Sequence, residues 1–189
     1  MRKKDETKYQ DILNSIEEMV NQTGIASVSM AKVADIAGVS KSTLYVYFPD
    51  KNSMLKAVYL DRKHKMADYL NQNLNTDLSP REQLQAYLHV VDDFVRNNMA
   101  DIDLIEQFAN SPMATELDIS IEESYLGFEP LLQMAADGVA SGDFTATEPI
   151  IILSFAYVPI VRYEQAKLQG LTKAKLDQII AMCLKSILK

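Results

Sequence analysis

One cysteine, two histidines and no tryptophan leave this 189-residue chain poorly equipped for covalent or metal chemistry. The lone Cys183 excludes an internal disulfide. It sits among Ile179, Ile180, Met182 and Leu184, so it reads as a buried structural thiol rather than a reactive one. Six Gly and six Pro are few for this length, which argues against a loop-rich architecture. Long apolar runs are missing too. The longest, 150–161, has 12 residues, contains Ser154 and Pro159 and ends at Arg162, too short to cross a bilayer. Residues 1–9 lack the apolar core of a signal peptide, so the expected location is the cytoplasm. No P-loop, dinucleotide glycine fingerprint or Gly-Xaa-Ser-Xaa-Gly elbow occurs. His89 shares a helix face with Asp92 and Asp93, as His64 does with Asp61 and Asp68. Sets this small arise by chance on helices, and neither is read as a metal site. Neither catalysis nor a cofactor is expected.

What the chain does have is apolar residues at helical spacing almost from end to end, within a hydrophobic content of 48%. The expected class is all-α. The net charge of −7 is unevenly spread. Residues 1–56 hold eight Lys/Arg against seven Asp/Glu, a net of +1, whereas residues 57–189 hold eleven against nineteen, a net of −8. A polyanion meets a local surface, not the whole-chain average. Arg2, Lys3, Lys4, Lys8, Lys32, Lys41 and Lys51 can face phosphates while the acidic body points away.

Residues 28–48 carry the strongest local signal. Ser29 can cap a helix whose apolar residues are Met30, Val33, Ala34 and Ala37. Gly38 stops that helix, because glycine tolerates the left-handed conformation of a helix end. Val39 follows as an apolar plug, and Ser40 caps a second helix too short to be stable alone. This helix opens with Lys41, Ser42 and Thr43 and closes with Tyr45, Tyr47 and Phe48. Two short helices on a tight turn, the second polar at its start, form a helix-turn-helix suited to the major groove. A first helix over about 6–23, with Ile12, Ser15, Ile16, Met19 and Val20 on its inner face, completes a three-helix module.

This stretch resembles the TetR family of bacterial transcriptional regulators. The likeness covers residues 8 to about 60. It rests on Ile12, Leu13, Gly24, Ala34, the run Ala37-Gly38-Val39-Ser40-Lys41, Thr43-Leu44-Tyr45, Tyr47-Phe48 and Lys51. Three positions depart from the family pattern: Ser42 where Gly is frequent, Val46 where His is frequent, and Val20 where Phe is common. The first two lie in the recognition helix and bear on which bases are read. The resemblance places DNA contacts at Thr43, Tyr47 and Lys51. The residues themselves add Lys41 and Ser42, with Ser29 both capping its helix and touching phosphate. Leu44, Tyr45 and Phe48 are assigned to the core.

The resemblance also implies a larger C-terminal helical body that dimerises and holds a small molecule. The expected division is 1–50 for the DNA-binding module and 51–189 for the effector-binding and dimerisation domain, about nine helices in all. A strut starts near Lys51 and runs without Gly or Pro past Leu70. Ser79-Pro80-Arg81-Glu82 reads as a capping box. Patterning over 113–140 breaks near Pro130, and the last two helices span about 149–169 and 172–188. Those two have more apolar surface than one body needs, which points to a two-fold interface. Its expected residues are Ile151, Phe155, Val158, Leu176, Ile180 and Leu184. Pocket candidates are Tyr87, Phe94, Phe108, Tyr125, Phe128, Met134, Phe155 and Tyr157. Glu106 and Glu129 lie near aromatics and suit an effector that is mostly apolar with a cationic group.

The expected function is therefore a ligand-responsive regulator, a repressor, that binds a near-palindromic duplex operator as a homodimer and is released by a small molecule. Two alternatives stay open at this point. One is a DNA-binding or assembly protein without an effector. The other is a helical enzyme or metal-binding bundle, which needs a polar catalytic cluster that the sequence does not display.

Overall fold

The structure, a computed structural model, describes residues 5–189 apart from the side chain of Ala114. Arg2, Lys3 and Lys4 lie outside the described residues. The fold is all-α, built from α1 (Glu6–Thr23), α2 (Met30–Ile36), α3 (Lys41–Tyr47), α4 (Lys51–Asn73), α5 (Pro80–Asn97), α6 (Met99–Ala109), α7 (Met113–Glu116), α8 (Ile121–Tyr125), α9 (Glu129–Ser141), α10 (Pro149–Leu168) and α11 (Leu176–Ile187). A 3-10 turn, Ile25–Ser27, joins α1 to α2. Two more α-helices form than the roughly nine expected. The surplus is α7 and α8, of four and five residues, separated by Asp118 with its positive φ of 49°. Pro130 breaks nothing; it occupies the first turn of α9, where its missing N–H costs no helix bond. The last helix starts four residues later than periodicity predicts. Gln178 accepts the Lys175 N–H at 2.8 Å and fixes the helix start there.

The chain divides into two compact units. The first takes residues up to 64 together with 99–124, and the second takes 65–98 with 125–189. In the first, α1 buries Ile12, Leu13, Ile16, Met19 and Val20 in a core shared with Val33 and Ala34 of α2, Leu44 of α3, Met54, Leu55 and Val58 of α4, and Leu104 of α6. Asp5 opens α1 by accepting the N–H groups of Thr7 and Lys8 at 3.1 and 3.4 Å. In this unit the rings of Tyr59 and Phe108 meet at a tilt, their centroids 5.1 Å apart.

In the second unit α10 packs against α5, α9 and α11. The capping box at Ser79 and Glu82 forms as its sequence foretells. Gly138 of α9 lies against the fully buried ring of Phe144, so closely that a Cβ there would stand 2.3 Å from two ring carbons. The chain beyond α11 returns to residues 143–145. Thr145 N–H donates to Ile187 O at 2.8 Å, and Lys189 N–H to Asp143 O at 3.0 Å. Among the described residues no helix is long and apolar enough to cross a membrane.

Candidate nucleic-acid interface

The helix-turn-helix is held by hydrogen bonds that its sequence encodes one by one. Ser29 Oγ accepts the Lys32 N–H at 3.4 Å and starts α2. At its end Gly38 takes φ of 63°, Gly38 N–H donates to Asp35 O at 3.3 Å, and Val39 N–H reaches Ala34 O at 3.0 Å. This 6→1 and 5→2 pairing is the Schellman helix stop, and it needs the left-handed residue that glycine supplies. Ser40 Oγ then accepts the Thr43 N–H at 3.0 Å and starts α3. The same oxygen lies 2.8 Å from both Ser42 Oγ and Thr43 Oγ1, so three hydroxyls cluster at the helix start.

Leu44 and Phe48, one turn apart, take the inward face of α3. That leaves Lys41, Ser42, Tyr45 and Val46 exposed and Thr43 half-buried. Tyr45 is 53% exposed and Val46 64%. Tyr45 is thus not a core residue as sequence reasoning has it. It stands about 100° round the helix from Leu44, off the inward face. Its exposure was readable from the Leu44–Phe48 spacing alone. Ile36, 47% exposed on α2, adds a third apolar group on the surface of the motif.

Tyr47 faces two ways. Its ring lies 6.1 Å from that of Tyr9 on α1, and its hydroxyl is within 3.3 Å of Asp5 N and 3.4 Å of Asp5 O. The start of α1 is thereby tied to the end of α3. Lys51, in the first turn of α4, donates through Nζ to Ala26 O at 3.3 Å. Asp50 accepts the Ser53 N–H at 2.7 Å, and hydrogen bonds from Ser53 hold its carboxyl below the usual range. Ser29, Lys41, Ser42, Thr43, Tyr47 and Lys51 all belong to the first unit.

The other sequence-derived sets fare differently. Ile151, Phe155 and Val158 are 42%, 53% and 45% exposed and share the outer face of α10. Leu176 and Leu184 are half-buried. Ile180 is buried within the chain, as is Cys183, whereas Met182 of α11 is 67% exposed. Ile180 and Cys183 stand three apart on the face that α11 turns to α10, which is why Ile180 is not at the surface. Phe155, Pro159, Tyr163, Met182 and Cys183 line a cavity of about 450 Å³ between α10 and α11. Of the pocket candidates, Tyr87, Phe94, Phe128 and Met134 are buried in the second unit, and Tyr125 and Tyr157 are half-buried there. Glu106 and Phe108 sit on α6 in the first unit. Glu129 is exposed.

In the second unit two buried carboxyls escaped sequence reasoning. Asp92 of α5 and Glu164 of α10 are 5% and 2% exposed. Glu164 accepts Lys167 Nζ at 2.8 Å, whereas Asp92 Oδ1 is buried without a hydrogen-bond partner. Burial first, then the charge and hydrogen bond of Glu164, push the Asp92 carboxyl up to about 6. The signal was present in the sequence: Asp92 follows Leu88 and Val91 on the apolar stripe of α5.

Residues 12–58 match the model of the bacterial regulatory proteins of the tetR family. The chain is 25% identical over 129 residues to the nucleoid occlusion factor SlmA of Haemophilus ducreyi, covering 68% of this chain and 64% of that protein. It is 20% identical over 142 residues to the fatty acid metabolism regulator protein of Bacillus subtilis, covering 75% and 73%. In three dimensions it is similar to a TetR family transcription regulator from Marinobacter aquaeolei, with a TM-score of 0.86 at 22% identity and full coverage of both chains.

Proposed function

We propose that the chain is a TetR-family regulator, as the match over residues 12–58 supports, and that it is a cytoplasmic repressor which binds a near-palindromic operator as a homodimer and leaves it when a small molecule binds the body. The observation that carries this reading is the outward face of α3. Lys41, Ser42, Tyr45 and Val46 project from a helix whose inward face is fully used. Ser42 and Thr43 meet base edges or phosphate, Lys41 and Lys51 meet phosphate, and Ser29 caps α2 beside the backbone. Tyr45 and Val46 present apolar surface suited to thymine methyl groups. Tyr47 gives its hydroxyl to phosphate at the cost of its hold on Asp5. In this assignment 1–50 reads DNA and 51–189 dimerises and senses.

The test is selection of bound duplexes from a random pool, followed by titration at several salt concentrations. Thr43→Ala should weaken the selected site more than random duplex, by about tenfold, the scale of one lost base contact. Lys51→Ala should weaken both and flatten the salt slope by about one. If neither variant shifts either affinity, the DNA face lies elsewhere.

The effector reading rests on the second unit. Tyr87, Phe94, Phe128 and Met134 give it an apolar interior, and Asp92 adds a buried carboxyl with one oxygen, Oδ1, unbonded. A mostly apolar molecule suits the first feature and a cationic group the second. One relative is named a fatty acid metabolism regulator protein, which brings acyl chains forward as a first class of probe. Two probes separate the features: a long-chain acyl thioester and a lipophilic amine. The effector must bind free protein more tightly than the DNA complex, by the factor with which it weakens DNA binding. If neither probe changes operator affinity, the effector-free alternative is the better reading.

A further inference from the structure

Arg62 of α4 is 4% exposed, and it is the hub of an ionic cluster within the first unit. Its Nη2 reaches Glu17 Oε2 at 3.0 Å and Asn14 Oδ1 at 2.7 Å, both on α1. Its Nη1 reaches Asp61 Oδ2 at 2.7 Å, and its Nε lies 3.2 Å from Asp101 Oδ1 on α6. Asp61, 26% exposed at the side chain, is partly solvated and also accepts Gln10 Nε2 at 3.4 Å. Glu17 and Asp101, 12% and 5% exposed at the side chain, lie further from water. Three carboxyls therefore surround one guanidinium. With all of them ionised the cluster carries surplus negative charge away from water, which is costly.

A proton removes the surplus and mends a second defect. Glu17 Oε1 is buried and meets no hydrogen-bond donor. A protonated Glu17 has an O–H to give to Asp101, which converts a repulsive pair into a bonded one. The charges that act on Glu17 come from α4 (Arg62) and α6 (Asp101). Asn14, its neighbour on α1, is neutral. Burial first, then the hydrogen bond with Asp101, push the Glu17 carboxyl up to about 7, against the pull of Arg62. The native fold thus favours the protonated form. The contribution is complete below the free-carboxyl value of 4.5 and is lost as pH rises through about 7.

The position of α1 matters to the interface because its first residue contacts reach α3. Tyr47 holds Asp5, and Tyr9 lies against both Tyr47 and Phe48. We propose that Glu17, held between Arg62 and Asp101, is a proton-dependent positioning residue that clamps α1 to α6 and α4, so that operator affinity is highest when Glu17 carries its proton. The inference rests on the DNA-binding reading above. Without the proton, Glu17 and Asp101 repel, α1 is held less firmly, and ordering it on DNA takes free energy from binding.

The experiment uses the full chain and its selected duplex, at constant ionic strength, at pH 6 and pH 8. Wild type should bind about fivefold more weakly at pH 8, inside the tenfold per pH unit that a single proton permits. Glu17→Gln keeps a neutral donor in place. It should bind at both pH values within about twofold of wild type at pH 6. Asp101→Asn removes the repulsion and should flatten the profile as well. Thermal unfolding gives a second readout that needs no DNA: the midpoint of wild type should fall from pH 5 to pH 8 relative to that of Glu17→Gln. Equal pH slopes for wild type and Glu17→Gln, in binding or in unfolding, overturn the proposal. A wild type that binds no duplex at either pH overturns the DNA-binding reading instead, and the unfolding comparison then decides the cluster alone.

Discussion

Phe155→Asp should leave a folded monomer that has lost its operator. Phe155 is 53% exposed in the protomer, so an aspartate there is solvated when the chain is alone. In the proposed dimer the same carboxylate is enclosed against apolar residues of a second copy. An uncompensated buried charge costs about 3–5 kcal/mol, and a two-fold interface meets it twice. Met182→Asp, on the facing side of the same cavity, should do the same. Sedimentation should show monomers with an unchanged helical spectrum. Affinity for the two-half-site duplex should drop by about 10² to 10⁴, the avidity lost when two reading heads are no longer joined. Ile180→Asp is the wrong probe, because Ile180 is buried within the protomer and its loss would unfold the chain first. A wild-type dimer constant in both surface variants would place the interface elsewhere.

Gly138→Ala should destabilise the second unit although it adds only one methyl group. The new Cβ would fall 2.3 Å from Cδ2 and Cε2 of Phe144, a ring with no exposed surface into which to move. Overpacking of this kind costs about 1–3 kcal/mol, and valine should cost more. Phe144→Ala should cost about 3–5 kcal/mol through the cavity it leaves. In chains of this size a loss of 1 kcal/mol lowers the midpoint by about 2–4 °C. The double variant Gly138→Ala with Phe144→Leu should recover part of the loss, because the two sites share one contact. Additive losses measured by calorimetry would mean that glycine and ring do not touch.

The local parts of this protein were legible in its sequence, and the reason is chemical. A serine cap, a left-handed glycine and a proline in a first turn act within four residues. Ser29, Gly38, Ser40, Ser79 and Pro80 therefore announce their elements without help from distant chain. Tyr45 departs from expectation because an aromatic side chain suggests core, whereas Leu44 and Phe48 already claim the inward face. Ile180 failed likewise: the apolar surface of α11 is shared between protomer core and outer face, and composition does not apportion it. Sequence order gives no sign that α6 folds back onto α1. The charged cluster at Arg62 was out of reach altogether. Its charged members are separated by up to 84 positions, and each taken singly reads as an ordinary solvated charge.

The short antiparallel clasp at the C-terminal end has a consequence for how two copies could separate. Residues 143–145 grip 187–189 by backbone hydrogen bonds, and Phe144 pairs with Leu188 as an isolated bridge. The final helix is therefore fastened at its far end as well as along its flank. Trading α11 between neighbours would require breaking that clasp in both. In the proposed dimer, association through this face would then be a docking of finished bodies, reversible by dilution and free of the slow, unfolding-limited exchange of entangled chains. Mixed tagged and untagged protein should reach a statistical population of hybrids on the timescale of simple dissociation.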